Sequence, residues 1–451
     1  MMEVDNAEII TILDDISTTS TSTSSSSRSS STVPHYEQQI ITTTAKSRPV
    51  AKGFTAVEAL HIYRNNLTKF EQNEILTFSR VYFTGNLTQK LQPENPGPGG
   101  FDDAKGSYRF ILHDHLGYRY EIYKPLGSGS FGQVYNCFDH KRKNSVAVKI
   151  VRSTPKVAQS AQIEGDILLH LNSVNGRGSN NIIKLLNYFE FRGHQCVVFE
   201  LMGLSLYDIL KKRKFKGLTC SQVKPIATEQ VKPIATEVLL ALNFLKEQKV
   251  VHCDLKPENI LLSCDSSDRI KLIDFGSACY EGKSCYTYIQ SRFYRAPEVL
   301  LNATFGSAID MWSFGCIVYE LIVGYPLFPG ENRNDQLSVI MELKGLPPAS
   351  LIARGKASAD YFRNGGQPRY CQPTKLPDGT TTYVPNKSPK GNARFKPGEK
   401  TWDTVLKTRI EPKLVSFLSK CLEYEPPKRY LPIQALIDPW IKDPPEIITI
   451  D

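Results

Sequence analysis

A chain of 451 residues with 41% hydrophobic and 22% charged side chains has room for one two-lobed catalytic domain plus a tail or small accessory region, within the range of soluble globular proteins. The net charge of +9 includes basic runs at Lys141-Arg142-Lys143 and Lys211 to Lys216; these read as solvated faces without interleaved stacking aromatics, so nucleic acid is not an expected partner, whereas anionic substrates or docking partners are. Ten cysteines without metal-ligand spacing or a disulfide framework point to a reducing cytoplasmic or nuclear setting. An acidic start (Glu3, Asp5, Glu8) and a short apolar run at 9–13 do not make a secretory leader, and no stretch approaches membrane-spanning length.

Residues 1–53, with unbroken Ser/Thr from Ser17 to Ser27, hold too little apolar area to offset ordering entropy and read as a disordered tail. Ala56, Ala59, Leu60, Ile62, Tyr63, Leu67 and Phe70 then recur at helical spacing, a small accessory element, and Pro93 to Gly100 marks a linker. Tyr108 to Leu112 and Tyr118 to Tyr123 read as strands.

Leu126-Gly127-Ser128-Gly129-Ser130-Phe131-Gly132-Gln133-Val134 has the glycine spacing of a loop that closes over phosphates. A dinucleotide-binding turn is the rival, but it expects a helix after the last glycine, and Gln133 to Phe138 continues as strand. Lys149 lies in the strand Ser145 to Ile150. A lysine there either points to solvent at an edge or reaches nucleotide phosphates, held by a helix carboxylate; Glu164 fits that helix better than Asp166. Gly165 beside it is an uncommon helix-interior residue, costing about 1 kcal/mol relative to Ala. Cys196 to Met202 reads as a strand entering a hinge. Its backbone around Phe199, Glu200 and Met202 would meet a flat purine, with Val134, Ala147 and Leu261 as apolar walls.

Gln222 to Glu229 is repeated as Gln230 to Glu237. An eight-residue shift turns a helix by about 80°, so the copies cannot present one face; Pro233 should lie in the first turn of the following helix, and a sequence-level artefact remains open. Val251 to Asn259 then puts Asp254, Lys256 and Asn259 within six residues, followed by Asp274-Phe275-Gly276. Each fragment alone has a bland reading as a cap or strand end. Together they supply what phosphoryl transfer needs: Asp254 to accept a hydroxyl proton, Lys256 near the transferring phosphate, and Asn259 and Asp274 as hard oxygen ligands for Mg²⁺. Tyr286 to Glu298 combines modifiable hydroxyls with Arg292 and Arg295, as an ordering switch requires, though a packed tyrosine-rich loop would look similar. Ile309 to Val318 is an apolar core helix, 345–403 looks like a long insertion, and Trp402 to Trp440 returns to helices.

The ordered set from Gly127 to Glu298 is the protein-kinase signature. Tyr286-Thr287-Tyr288, Ser291 to Arg295, Cys253 in place of the usual Arg and the box Asp114 to Glu121 resemble the dual-specificity tyrosine-regulated (DYRK) family of the CMGC group, and Phe54 to Leu91 resembles the accessory region of its class II members. The resemblance implies an α+β, bilobal kinase fold over 120–440, with a mainly β N-lobe to about 202 and a mainly α C-lobe from about 203, an accessory region at 54–119 and a tail at 441–451. It also implies ATP and Mg²⁺ as cofactors, self-phosphorylation of Tyr288, and then action on Ser and Thr of other proteins with proline after the target and arginine before it. Glu258 would accept that arginine, Arg429 would pair with Glu298, and the enzyme would act as a monomer. With Cys253 unable to pair with phosphate, loop anchoring should shift to Arg292 and Arg295. Cys253 and Cys279 flank the expected cleft, as a redox pair or as two unreactive buried thiols. The alternatives are an inactive kinase-fold scaffold, or a related CMGC kinase that leaves its tyrosine unmodified.

Overall fold

A computed structural model describes residues 51–85, 90–94, 100–129, 131–218, 231–264, 269–283, 289–363, 365–378, 380–407 and 410–443. The Ser/Thr-rich run, the first copy of the repeated octapeptide and Tyr286 to Tyr288 lie outside them. Two compact units result, one from the chain up to Asn172 together with Ile183–Met202, the other from Ser173–Ile182 and the chain from Gly203 onward.

The first unit is a six-stranded antiparallel sheet with short helical additions. Its strands are β1 (His115–Leu116), β2 (Tyr120–Gly129), β3 (Gly132–Asp139), β4 (Asn144–Val151), β5 (Leu185–Phe191) and β6 (His194–Glu200), in the order 1-2-3-4-6-5. Period-two alternation sets one face inward: Tyr120 and Ile122, Tyr135 and Cys137, Val146, Val148 and Ile150, and Cys196 and Val198 are all buried in one cluster. Arg192 and Gly193, both at positive φ (50° and 81°), make the two-residue turn joining β5 to β6.

Two capping boxes start the accessory helices α1 (Ala56–Tyr63) and α2 (Lys69–Glu74), Thr55 with Glu58 and Thr68 with Glu71. Ala59, Leu67, Ile75 and Val81 close around Tyr118, whereas Ile62 and Phe70, expected in the buried stripe, are 54% and 40% exposed. The helices are too short to bury the whole stripe. The described chain is already attached at Ala51, whose N–H donates to the Lys141 carbonyl, two residues before the expected end of the tail.

Tyr108 to Leu112 is not a strand. Tyr108 makes one isolated bridge to Asp102, and the segment instead delivers aromatic rings into the core, Tyr108 against Phe101, Phe191 and His194, and Phe110 against Tyr135. The second expected strand starts only at Tyr120, because Gly117 and Tyr118 occupy positive φ in the turn from β1.

Helix α3 (Pro155–Ser173) opens on proline, whose missing N–H costs nothing in a first turn, and buries Ile167, Leu168 and Leu171. Gly165 sits inside it, where an added Cβ would meet only the Tyr188 ring at 3.6 Å, an ordinary contact. Gly165→Ala is therefore expected to raise stability by about 0.5–1 kcal/mol; a denaturant midpoint lower than wild type would show that the glycine is needed for packing.

The second unit is mainly helical: α4 (Leu206–Lys212), α5 (Val231–Glu247), α6 (Pro297–Leu300), α7 (Ala308–Val323), α8 (Arg333–Lys344), α9 (Ala349–Arg354), α10 (Ser358–Tyr361), α11 (Trp402–Leu406), α12 (Pro412–Cys421), α13 (Pro432–Ala435) and α14 (Pro439–Lys442). Pro233 lies in the first described turn of α5. Short pairs β7–β10 (Val250–Val251, Cys279–Tyr280) and β8–β9 (Ile260–Leu262, Ile270–Leu272) hold the central loops. From Ile309 to Val323, α7 is buried at every position, which explains a sequence apolar all round. The region 345–403 contains α9, α10, α11's first residues and the hairpin β11–β12 (Cys371–Lys375, Thr381–Pro385). Its later part is clamped to α8: Arg394 pairs with Asp335 at 2.8 and 2.6 Å, and Lys400 with Glu342 at 2.6 Å.

Candidate active site

Within the first unit, β2 and β3 form the glycine hairpin, with Gly127 opposite Val134, Ser128 opposite Gln133 and Gly129 opposite Gly132. Register shifts at Ile122/Lys124 and Pro125/Gly127 bulge β2, placing Pro125 where no ladder donor is needed. The three glycines differ in their surroundings. A Cβ at Gly132 (φ 157°) would stand 2.2 Å from the Ile150 carbonyl oxygen, so the fold itself demands glycine there. An added Cβ at Gly127 or Gly129 would meet no atom within 4 Å among the described residues beyond its chain neighbours, leaving open space on that side. Ser130 lies outside the described residues; Leu126 is 47% exposed and Phe131 half-buried.

Lys149 is not at an edge. β4 pairs with β3 and β6, so Lys149 faces Val134 on one side and Val197 on the other, and it is 8% exposed. Its Nζ stands 2.8 Å from Glu164 Oε2 on α3 and 5.8 Å from the Phe131 ring centroid. Asp166 points to solvent and accepts from Gln162 instead. Ala147 is opposite Phe199, and Phe199, Glu200 and Met202 are all half-buried at the end of β6.

Within the second unit, the loop from Val251 to Asn259 is fixed by a residue not assigned a role from the sequence. Asp310, buried in α7, accepts from the backbone N–H groups of His252 (2.8 Å) and Cys253 (3.1 Å), which stabilises the positive φ of Cys253 (65°). A carboxylate in the first turn of a largely apolar helix was the available signal. His252 donates to the Ile273 carbonyl (3.0 Å) and accepts from the Asp254 N–H (3.2 Å), joining this loop to the segment that carries Asp274, itself at φ 60°.

Asp254 is the hub. Its Oδ1 accepts from the Ser291 N–H (2.9 Å) and Oγ (2.8 Å), and its Oδ2 from Lys256 Nζ (2.7 Å), which also reaches Ser291 Oγ (3.1 Å). Burial works to neutralise Lys256, but the charge and hydrogen bond of Asp254, with Asp274 and Glu258, outweigh it and raise its pKa. Asn259 donates through Nδ2 to the Asp254 carbonyl at 2.9 Å, leaving its amide oxygen as the group to meet a cation. Together with the Asp274 carboxylate it offers oxygen donors of the kind hard divalent cations take. Leu261 is half-buried on β8.

The segment after Tyr288 is anchored by Gln290, not assigned a role from the sequence, and by the expected Arg292 and Arg295. Gln290 (φ 65°) donates to the Ile309 carbonyl and Ser313 Oγ and accepts from the Ala296 N–H. Arg295, 2% exposed, binds the carbonyls of Ile289 and Gln290, while Arg292 donates to the Glu331 carbonyl at 2.6 Å. Arg429 and Glu298 form a buried two-pronged pair at 2.7 and 3.0 Å. Cys253 and Cys279 are both buried and not disulfide-bonded, their sulfurs in contact at 3.7 Å.

Tyr294 donates to Glu320 Oε2 at 2.7 Å. Burial pushes the Glu320 carboxyl up to about 7, against the Tyr294 hydrogen bond and assisted by Glu258. Because the folded value exceeds the unfolded one, this group's contribution is full below pH 4.5 and is lost as pH rises toward 7. Wild type should lose up to about 3 kcal/mol more than Glu320→Gln between these pH values. Parallel denaturation curves for the two proteins across that window would contradict this.

A buried lysine–glutamate pair in a sheet under a glycine hairpin, and a carboxylate–lysine–amide loop followed by a second carboxylate, define the protein kinase class; the family described as "Protein kinase domain" matches residues 120–441. The relatives narrow this. The chain is 43% identical over 392 residues to "Dual specificity tyrosine-phosphorylation-regulated kinase mbk-2" of Caenorhabditis elegans, covering 86% of this chain and 47% of that one. It is 42% identical over 414 residues to "Dual specificity tyrosine-phosphorylation-regulated kinase 3" of Homo sapiens (91% and 69%), and 42% identical over 389 residues to human kinase 4 of the same name (86% and 70%). The chain thus belongs to the dual-specificity tyrosine-phosphorylation-regulated kinases, in the CMGC group, and spans about half the length of mbk-2.

Proposed function

We propose that this chain transfers the γ-phosphate of ATP to serine and threonine hydroxyls of other proteins, after phosphorylating its own Tyr288. The observation that carries the reading is the Asp254 carboxylate held by Lys256 and Ser291, so that it is fixed in place to accept a proton from an incoming alcohol. Lys149, oriented by Glu164, would meet the nucleotide phosphates, and the open space at Gly127 and Gly129 suits a backbone that approaches them. Asn259 and Asp274 would hold Mg²⁺, which when bound supplies positive charge to the β- and γ-phosphate oxygens. Purine would lie against Val134 and Ala147, with the backbone near Glu200 and Met202 as hydrogen-bonding edge.

A preference for arginine before the target is supported by the exposed Glu258; a following proline is proposed with it, on the sequence resemblance alone. Arg292 Nε, buried and without an acceptor among the described residues, suits an anionic group such as phosphotyrosine; Arg295 stiffens the same segment through its carbonyl contacts. We place the protein in the cytoplasm or nucleus, acting as a monomer on protein substrates.

A degenerate peptide library tests the substrate reading, with enrichment of upstream arginine and following proline expected. Mass spectrometry of protein made in bacteria tests self-modification. Unmodified Tyr288 on an active enzyme would favour a CMGC kinase without tyrosine phosphorylation.

A further inference from the structure

Arg292, the residue after the serine that grips Asp254, has its guanidinium on the main-chain carbonyl of Glu331 at 2.6 Å. The Glu331 side chain is in turn enclosed by the turn at 388–392: its Oε1 accepts from Ser388 Oγ (2.7 Å) and Asn392 Nδ2 (2.6 Å), and its Oε2 from the Lys390 N–H (2.7 Å). Its own N–H donates to Asp335 Oδ2 at 2.8 Å. A carboxylate with three donors, on a residue whose N–H is also bonded, cannot rotate without breaking several contacts at once, so its carbonyl is fixed as well.

We infer that Glu331 is a positioning residue through which the insertion holds Arg292, and hence Ser291, against Asp254. This rests on the kinase reading above. Simple attachment of the insertion does not require Glu331, because Arg394–Asp335 and the contacts of Glu342 with Lys400 and the Phe395 N–H already fasten it to α8 without touching Arg292. The chain of contacts from Ser388 and Asn392 to Asp254 runs wholly within the second unit.

The test compares the full chain carrying Ser388→Ala with Asn392→Ala, Glu331→Ala, Glu331→Gln and, as an attachment control, Glu342→Ala. Loss of a charge-assisted contact is expected to lower kcat for a serine peptide about tenfold in the first two proteins, with the KM for ATP unchanged. Glu331→Gln, which keeps an acceptor oxygen, should recover to within about twofold of wild type, and Glu342→Ala should keep wild-type kcat while losing thermal stability. Hydrogen exchange at the Ser291 amide, which donates to Asp254, should speed up about tenfold in the first two and not in the control. Unchanged Ser291 exchange, or equal kcat losses in Glu331→Ala and Glu342→Ala, would overturn the inference. An inactive wild type would instead count against the kinase reading, and the exchange measurement would still decide the role of Glu331.

Discussion

Asp254→Asn is expected to lower kcat by about 10²- to 10⁴-fold while the protein stays folded. Asparagine matches aspartate in shape but has no charge, and one of its two terminal atoms is a donor. In place of the carboxylate it would set an NH₂ against either Lys256 Nζ, now at 2.7 Å from Oδ2, or the Ser291 N–H and Oγ, now at 2.9 and 2.8 Å from Oδ1. One of those contacts must open, and the group that accepts the alcohol proton is gone. Single-turnover kinetics beside circular dichroism checks this; a folded variant within tenfold of wild type would show that Asp254 is not the base.

Arg192→Ala is expected to destabilise the first unit by about 3–5 kcal/mol, because it removes the cation that pairs with the half-buried Glu74 and one of the two cations on the buried Glu71, together with its ring contacts. The Arg192 side chain is 1% exposed. It binds Glu74 at 2.9 and 2.8 Å, Glu71 at 3.3 Å and the Tyr108 hydroxyl at 3.2 Å, and lies 4.2 Å from the Phe101 ring centroid and 4.6 Å from that of Phe191. Glu71 also takes His115 Nε2 at 3.0 Å and Lys90 Nζ at 3.1 Å. His115 accepts from the Tyr118 N–H at its other ring nitrogen, which makes it a neutral donor to Glu71. Burial alone would raise the Glu71 carboxyl, but His115 and Lys90 overcome it and hold it at about 2. Although Glu71, Asp114 and His115 bring ligand atoms within 4.8 Å of one another, Lys90 supplies a cation there, 3.1 Å from Glu71 and 3.2 Å from Asp114. Lysine at 192 should restore little, since it cannot span both glutamates with a planar fork. A denaturant midpoint for Arg192→Ala corresponding to less than about 1 kcal/mol would show that the network is dispensable.

What the sequence made legible was local or tied to a fixed spacing. The glycine hairpin, the lysine in its strand with Glu164 on the next helix and the group from Asp254 to Asn259 all follow from short motifs in order, and the pairing of Arg429 with Glu298 from the family resemblance. The Arg192 network was invisible because its members are up to 121 residues apart, and no period or motif relates them. Asp310, Gln290 and Ser291 were likewise hidden: each acts by hydrogen bonds to a loop whose shape depends on positive φ at Cys253 and Gln290, which only the packed chain reveals. Tyr108 to Leu112 misled because aromatic-rich sequence favours strand locally, while burial of its rings decided its path.

The claim that this chain is a phosphotransferase is tested most directly by incubating the purified protein with labelled ATP, magnesium and a serine peptide carrying an upstream arginine and a following proline. The account predicts label on the serine that requires the divalent ion and vanishes in Asp254→Asn; label no higher in wild type than in that variant would contradict it.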